Sequence, residues 1–155
     1  MLQDGDIAPD FELATDSGEP FKLSKLRGKP VVVYFYPKDD TSGCTIEAKE
    51  FSRLAPEFRQ AGIELIGVSP DSVESHQKFR SKHELTIRLG ADADKVAAMA
   101  YGVWAEKSMY GRSYMGIERS TFLIDKGGRL AKSWRKVKVP NHAQEVLTAA
   151  LSLAR

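Results

Sequence analysis

The chain of 155 residues holds one cysteine, Cys44. A single thiol cannot close an internal disulfide, which excludes a disulfide-stapled secreted fold. Nor can it supply a zinc site built from several thiolates. No apolar run approaches the ~20 residues that a membrane-crossing helix needs. Met1 to Asp10 is polar and acidic, without the basic start and apolar centre of a secretion signal. Neither sign of charge dominates: 23 Lys and Arg against 21 Asp and Glu leave a formal net charge of +2, and the basic residues are interspersed with acidic ones. Nucleic acid and membrane surfaces are therefore not expected partners. Repeats, linkers and low-complexity segments are missing too. The expectation is one domain over 1–155, cytoplasmic, with no metal and no cofactor.

What remains is an ordinary globular mixture, 42% hydrophobic and 28% charged, sized for one core. Phe11 to Leu13 and Phe21 to Leu23 flank Asp16-Ser17-Gly18 and read as a small hairpin. Val31 to Tyr36 is a continuous β-branched and aromatic run closed by Pro37, the pattern of a strand buried on both faces. Ala48, Phe51, Leu54, Ala55 and Phe58 recur at helical spacing, with Glu47, Glu50, Arg53 and Glu57 assigned to the polar side and Gly62 as the stop. Ile63 to Val68 is a second buried strand. Ser69 to Ser72 carries a turn and a helix cap, and a helix follows to about His83. Thr86 to Leu89 reads as a short strand, and Asp92 or Asp94 can cap a helix to about Tyr101. Trp104 to Met115 reads as an aromatic loop that either packs over the sheet or lines a pocket. Ser120 to Ile124 and Leu130 to Trp134 are strands around Lys126-Gly127-Gly128, and Ala143 to Leu151 form a final helix. Strand–helix–strand alternation followed by a closing hairpin predicts an α/β protein of thioredoxin-like fold. It has a central mixed sheet flanked by helices and an N-terminal β-hairpin extension.

Cys44 falls where the first buried strand gives way, through a loop, to a helix. The unpaired N–H groups and dipole of a helix start favour an anion, and hence a thiolate. A free thiol is only a few per cent ionised near neutrality, so complete ionisation gains roughly 30-fold, about 2 kcal/mol. Larger acceleration has to come from donors that hold the reacting oxygens. The N–H groups of Gly43 and Cys44, the hydroxyl of Thr41 and the shield of Pro37 are the candidates. Gly43 has no side chain to block a close approach.

The run VVYFYPKDDTSGCTIE, Val32 to Glu47, resembles the active-site segment of peroxiredoxins, most closely the bacterioferritin comigratory protein (peroxiredoxin Q) subfamily. Its Pro-x-x-x-Thr-x-x-Cys signature is met by Pro37, Thr41 and Cys44. Ala8 to Phe11, Gly67 to Asp71 and Arg119 to Asp125 are similar to further family segments, so the likeness spans nearly the whole chain. The resemblance implies Cys44 as the peroxidatic nucleophile and Thr41 as a hydrogen-bonding partner of the peroxide. It implies Arg119 as the group that stabilises the thiolate and polarises the peroxide, and Pro37 as the shield. Gly43 and Glu47 would stand near the substrate. Two departures matter. Ser42 replaces a proline common in relatives, and Lys49 and Arg80 stand where relatives carry a resolving cysteine.

The implied activity is a thiol-dependent peroxidase that reduces hydrogen peroxide and organic hydroperoxides through a Cys44 sulfenic acid. The sulfenic acid is then returned to the thiol by an external reductant: thioredoxin, glutaredoxin or glutathione. A monomer is expected, with pairing through a sheet edge as the alternative. Other classes are weighed against this. A dithiol oxidoreductase needs a second cysteine at position 41, where Thr41 stands. A cysteine hydrolase would pair Cys44 with His76, His83 or His142, although His76 and His83 read as solvated or capping residues. A redox sensor or holdase would use Cys44 with little turnover.

Overall fold

The computed structural model describes residues 2–154. Its strands are β1 (Glu12–Thr15), β2 (Phe21–Lys22), β3 (Val31–Phe35), β4 (Glu64–Ser69), β5 (Arg88–Ala91), β6 (Trp104–Met109), β7 (Arg112–Ile117), β8 (Ser120–Ile124) and β9 (Leu130–Trp134). Its α-helices are α1 (Ser42–Gln60), α2 (Val73–His83), α3 (Val96–Ala100) and α4 (His142–Ala154). Seven strands form one mixed sheet in the order β2-β1-β5-β4-β3-β8-β9. β3, β4 and β5 run parallel, while β8 lies antiparallel to β3. This is the thioredoxin-like arrangement expected from the residues, and the N-terminal hairpin is stitched onto it through β1–β5 pairing.

Every residue of β3 is buried, as a strand covered on both faces must be. Its alternation sends Val32 and Tyr34 into a core shared with α1, α2 and α4. Val31, Val33 and Phe35 enter a second core with α3 and the N-terminal segment. Helix α1 continues through Pro56. A proline removes the N–H that would reach the carbonyl of Ser52, and Thr86 Oγ1 donates to that carbonyl instead, at 3.2 Å. Ser72 caps α2 by accepting from Ser75 N. Asp92 accepts from the N–H groups of Ala97 and Ala98, so of the two expected caps it is Asp92 that serves.

Two expectations are corrected. β5 begins at Arg88, two residues later than the strand read at Thr86. Trp104 to Met115 is not a loop: β6 and β7 pair as a separate two-stranded ribbon with Met109 opposite Arg112. Tyr110 and Gly111 turn it at φ 53° and 77°, the double left-handed geometry of a type I′ hairpin turn. The ribbon's exposed apolar side chains hid its alternation.

Gly67 on β4 is required by a close approach. A Cβ there would meet the Tyr34 ring at 2.6 Å, and Tyr34 is pinned from above by stacking on Phe51, with centroids 4.5 Å apart. Gly67→Ala should therefore destabilise the fold by about 1–3 kcal/mol in urea unfolding. An unchanged midpoint would mean that Tyr34 has room to move.

Candidate active site

Cys44 lies in the first turn of α1, where the dihedrals of Thr41 (φ −89°, ψ 157°) place it at the N-cap. The Thr41 side chain does not cap the helix. Instead, Thr41 Oγ1 donates to the carbonyl of Lys38 at 2.9 Å, and its lone pairs remain free to accept. The N–H groups of Gly43 and Cys44 belong to the turn that has no partner inside the helix. Pro37, two residues past the end of β3, is half-buried, and Cys44 itself is 1% exposed.

The partner of the sulfur comes from the far side of β3. Arg119 immediately precedes β8, and strand pairing of Phe35 with Ser120 brings it alongside the cysteine loop. Its Nη2 donates to Cys44 Sγ at 3.3 Å and its Nη1 donates to Glu47 Oε1 at 2.5 Å. The space is tight: a Cβ on Gly43 would stand 3.3 Å from Arg119 Nη2, so a side chain there would press on the guanidinium.

Glu47 was assigned to the solvent side of α1 by its charge. The structure instead buries it, at 1% exposed. It lies one turn after Cys44 and thus on the same helix face. Its Oε2 and the hydroxyl of Tyr34 are buried with no partner among the described residues. Burial raises the Glu47 pKa from 4.5 to about 7, against the pull of the Arg119 charge and hydrogen bond. Burial, then the charges of Glu47 and Cys44, push the Tyr34 hydroxyl well above its ordinary range.

The loop before Cys44 is held to α2 by two aspartates. Buried Asp39 accepts from Tyr36 Oη at 2.6 Å and from Ser75 Oγ at 2.8 Å, and it meets His76 Nδ1 at 2.7 Å. Asp40, at φ 59°, meets Lys82 Nζ at 2.6 Å and His83 Nε2 at 2.7 Å. His76 is fully buried, contrary to its reading as a solvated residue. Its Nε2 lies 2.9 Å from the Gly90 carbonyl, which can only accept, so that nitrogen carries a proton. His142 pairs with Thr121 Oγ1 at 2.8 Å. No histidine hydrogen-bonds Cys44 among the described residues, which removes the pairing a cysteine hydrolase requires. Arg80 donates to buried Asp16 at 2.6 Å, and Lys49 is exposed. Neither position supplies a thiol, and Cys44 is the one cysteine of the sequence. The Asp39–His76 network was not foreseen, because a lone histidine in a polar helix gives no sequence signal of burial.

Residues 5–133 match the model of the AhpC/TSA family. The chain belongs to that family, and its relatives place it among peroxiredoxins of the bacterioferritin comigratory protein type, here without a resolving cysteine. It is 53% identical over 146 residues to peroxiredoxin Bcp of Bacillus subtilis, covering 94% of this chain and 93% of that protein. With peroxiredoxin Bcp of Escherichia coli the identity is 40%, covering 94% of each. Among solved structures it resembles the bacterioferritin comigratory protein of Xanthomonas campestris, whose alkyl peroxide reduction activity that structure concerns. The TM-score is 0.91 at 42% identity, over 100% of this chain and 99% of that one. It also resembles Xylella fastidiosa PrxQ, with TM-score 0.93 at 39% identity, over 100% and 99% of the two chains.

The raised Glu47 carboxyl has a signature in stability. Folded Glu47 keeps its proton to about pH 7, while the unfolded group loses it near 4.5. Between these values the folded state binds more protons, so stability falls as pH rises through the window. Glu47→Gln escapes this loss. Its urea midpoint should gain on wild type from pH 5 to about pH 7 and then level off, and a constant gap across that window would contradict the assignment.

Proposed function

We propose that Cys44 of this peroxiredoxin attacks hydrogen peroxide and organic hydroperoxides, that Arg119, Thr41 and the first turn of α1 bind the reacting oxygens, and that an external thiol closes the cycle. The observation that carries this reading is Arg119, whose guanidinium reaches the sulfur with one arm while the other is fixed by buried Glu47. A permanently charged planar donor stabilises the thiolate and turns toward the peroxide oxygens without reorganising.

The step balances simply. The thiolate forms a bond to one peroxide oxygen, the O–O bond breaks, and the leaving hydroxide or alkoxide takes a proton to depart as water or an alcohol. Negative charge grows on the leaving oxygen. Arg119 and the N–H groups of Gly43 and Cys44 are placed to meet it. Thr41, whose own proton is committed to Lys38, accepts from the O–H of the peroxide. Glu47 positions Arg119 and, with its pKa near 7, supplies a proton reservoir at the site. Pro37 keeps water from the sulfur. The sulfenic acid then meets a thiol from outside, drawn from thioredoxin, glutaredoxin or glutathione. The chain acts as a single domain over 1–155, as a monomer in the cytoplasm. No helix among the described residues is long and apolar enough to cross a membrane.

Turnover of hydrogen peroxide with a thiol reductant tests this reading. Wild type should cycle many times, and Cys44→Ser should lose activity altogether. Peroxide in excess over thiol should convert Cys44 to the sulfinic acid, read by mass spectrometry, because no second thiol in the chain intercepts the sulfenic acid. A wild-type protein that oxidises once and then stops in the presence of thiol would contradict the enzyme and favour a sensor.

A further inference from the structure

The turn between β4 and α2 holds a carboxylate to which the peroxide step gives no role. Asp71 lies two residues after Ser69, the end of β4, and just before Ser72, the cap of α2. It is half-buried. Its Oδ2 accepts from Ser69 Oγ at 2.6 Å, and its own N–H donates back to that oxygen at 3.2 Å. The same Oδ2 accepts from the backbone N–H of Asp39, in the cysteine loop, at 2.8 Å. That N–H and the carbonyl of Lys38 belong to one peptide unit, and in a trans peptide the two point in opposite directions. With the N–H fixed on Asp71, the carbonyl faces the other way, and there it accepts the hydroxyl proton of Thr41 at 2.9 Å. The peptide is thus gripped at both ends. The Asp39 side chain braces it from a third direction through Tyr36, Ser75 and His76.

This grip accounts for an oddity of α1. A threonine at an N-cap ordinarily turns its oxygen onto the N–H of the second or third helical residue, here Gly43 or Cys44. Thr41 stands at the N-cap and does not. A hydroxyl has one proton, and with that proton directed to Lys38, Thr41 can only accept from any further partner. Capping would occupy its lone pair and would also withdraw an N–H from the reacting oxygens. We infer that Asp71 is a positioning residue for the peroxide step: through the Lys38–Asp39 peptide it fixes the Thr41 hydroxyl as the acceptor of the peroxide O–H and keeps it off the helix. This rests on the peroxidase reading and deepens it. A peroxide that donates to Thr41 does so from its protonated oxygen, so the residue that fixes Thr41 also fixes which oxygen is presented.

The test compares two rate constants of Cys44 at one pH: oxidation by hydrogen peroxide and reaction with methyl methanethiosulfonate. The thiosulfonate also needs the thiolate but has no O–H or N–H for Thr41 to accept. Asp71→Ala should slow oxidation by roughly tenfold or more and leave the thiosulfonate rate within about twofold of wild type. Asp71→Asn keeps an acceptor oxygen in place and should recover most of the loss. Asp71→Glu, which carries the carboxylate a methylene further out, should not. In a Thr41→Val background none of the three should slow oxidation further. An Asp71→Ala loss as large with Thr41→Val as without it would overturn the inference. So would oxidation and thiosulfonate rates that change together, the mark of a loosened loop. Should the alanine variant not fold, Asp71→Glu carries the same comparison. Wild-type Cys44 that hydrogen peroxide does not oxidise would sink the peroxidase reading and the inference with it. Rapid oxidation of wild type and of every Asp71 variant alike would sink the inference alone.

Discussion

One guanidinium spans the sulfur and a buried carboxylate, and the rest of the site is arranged to keep it there. Arg119 has to cross from the start of β8 to the first turn of α1. It does so because β8 pairs with β3, the strand whose end launches the cysteine loop. Glu47 holds the other end of the fork from within α1. Buried without the guanidinium, the Glu47 carboxyl would hold its proton more tightly still. Together they place a fixed donor beside an atom that must be an anion to react. Gly43 completes the arrangement by leaving the space that the guanidinium fills.

The same loop is tied from behind. Asp39 and Asp40 join it to α2 through His76, Ser75, Lys82 and His83. Arg80 on that helix is itself bound to Asp16, and the chain holds no second cysteine. With no internal thiol to reach, the loop can remain anchored throughout the cycle, and the burden of turnover passes to access from solution.

Much of this was legible from residue types alone. The β3 run, the α1 stripe, the β8–β9 hairpin and the Pro37–Thr41–Cys44 spacing are local patterns, and local patterns read well. Arg119 could be singled out only by resemblance, because an arginine at a strand start is ordinarily a surface charge. Glu47 was visible as a neighbour of Cys44, but its burial was not: a helix wheel sorts residues by polarity and cannot see an arginine arriving from another strand. His76 was misjudged for the same reason. Its partners Asp39 and Gly90 are distant in sequence and are brought together only by tertiary structure. The β6–β7 ribbon escaped notice because both its faces carry apolar and charged residues, leaving no alternation to follow.

The most direct test of the central claim is the second-order rate constant for oxidation of Cys44 by hydrogen peroxide, compared between wild type and Arg119→Gln with folding checked by circular dichroism. Removing the fixed charge while keeping a side chain of similar reach should slow the step by roughly 10²–10³-fold. Arg119→Lys should recover only part of it, since an ammonium cannot hold Glu47 and the sulfur at once through a planar fork. A folded Arg119→Gln protein that reacts within about threefold of wild type would contradict the account.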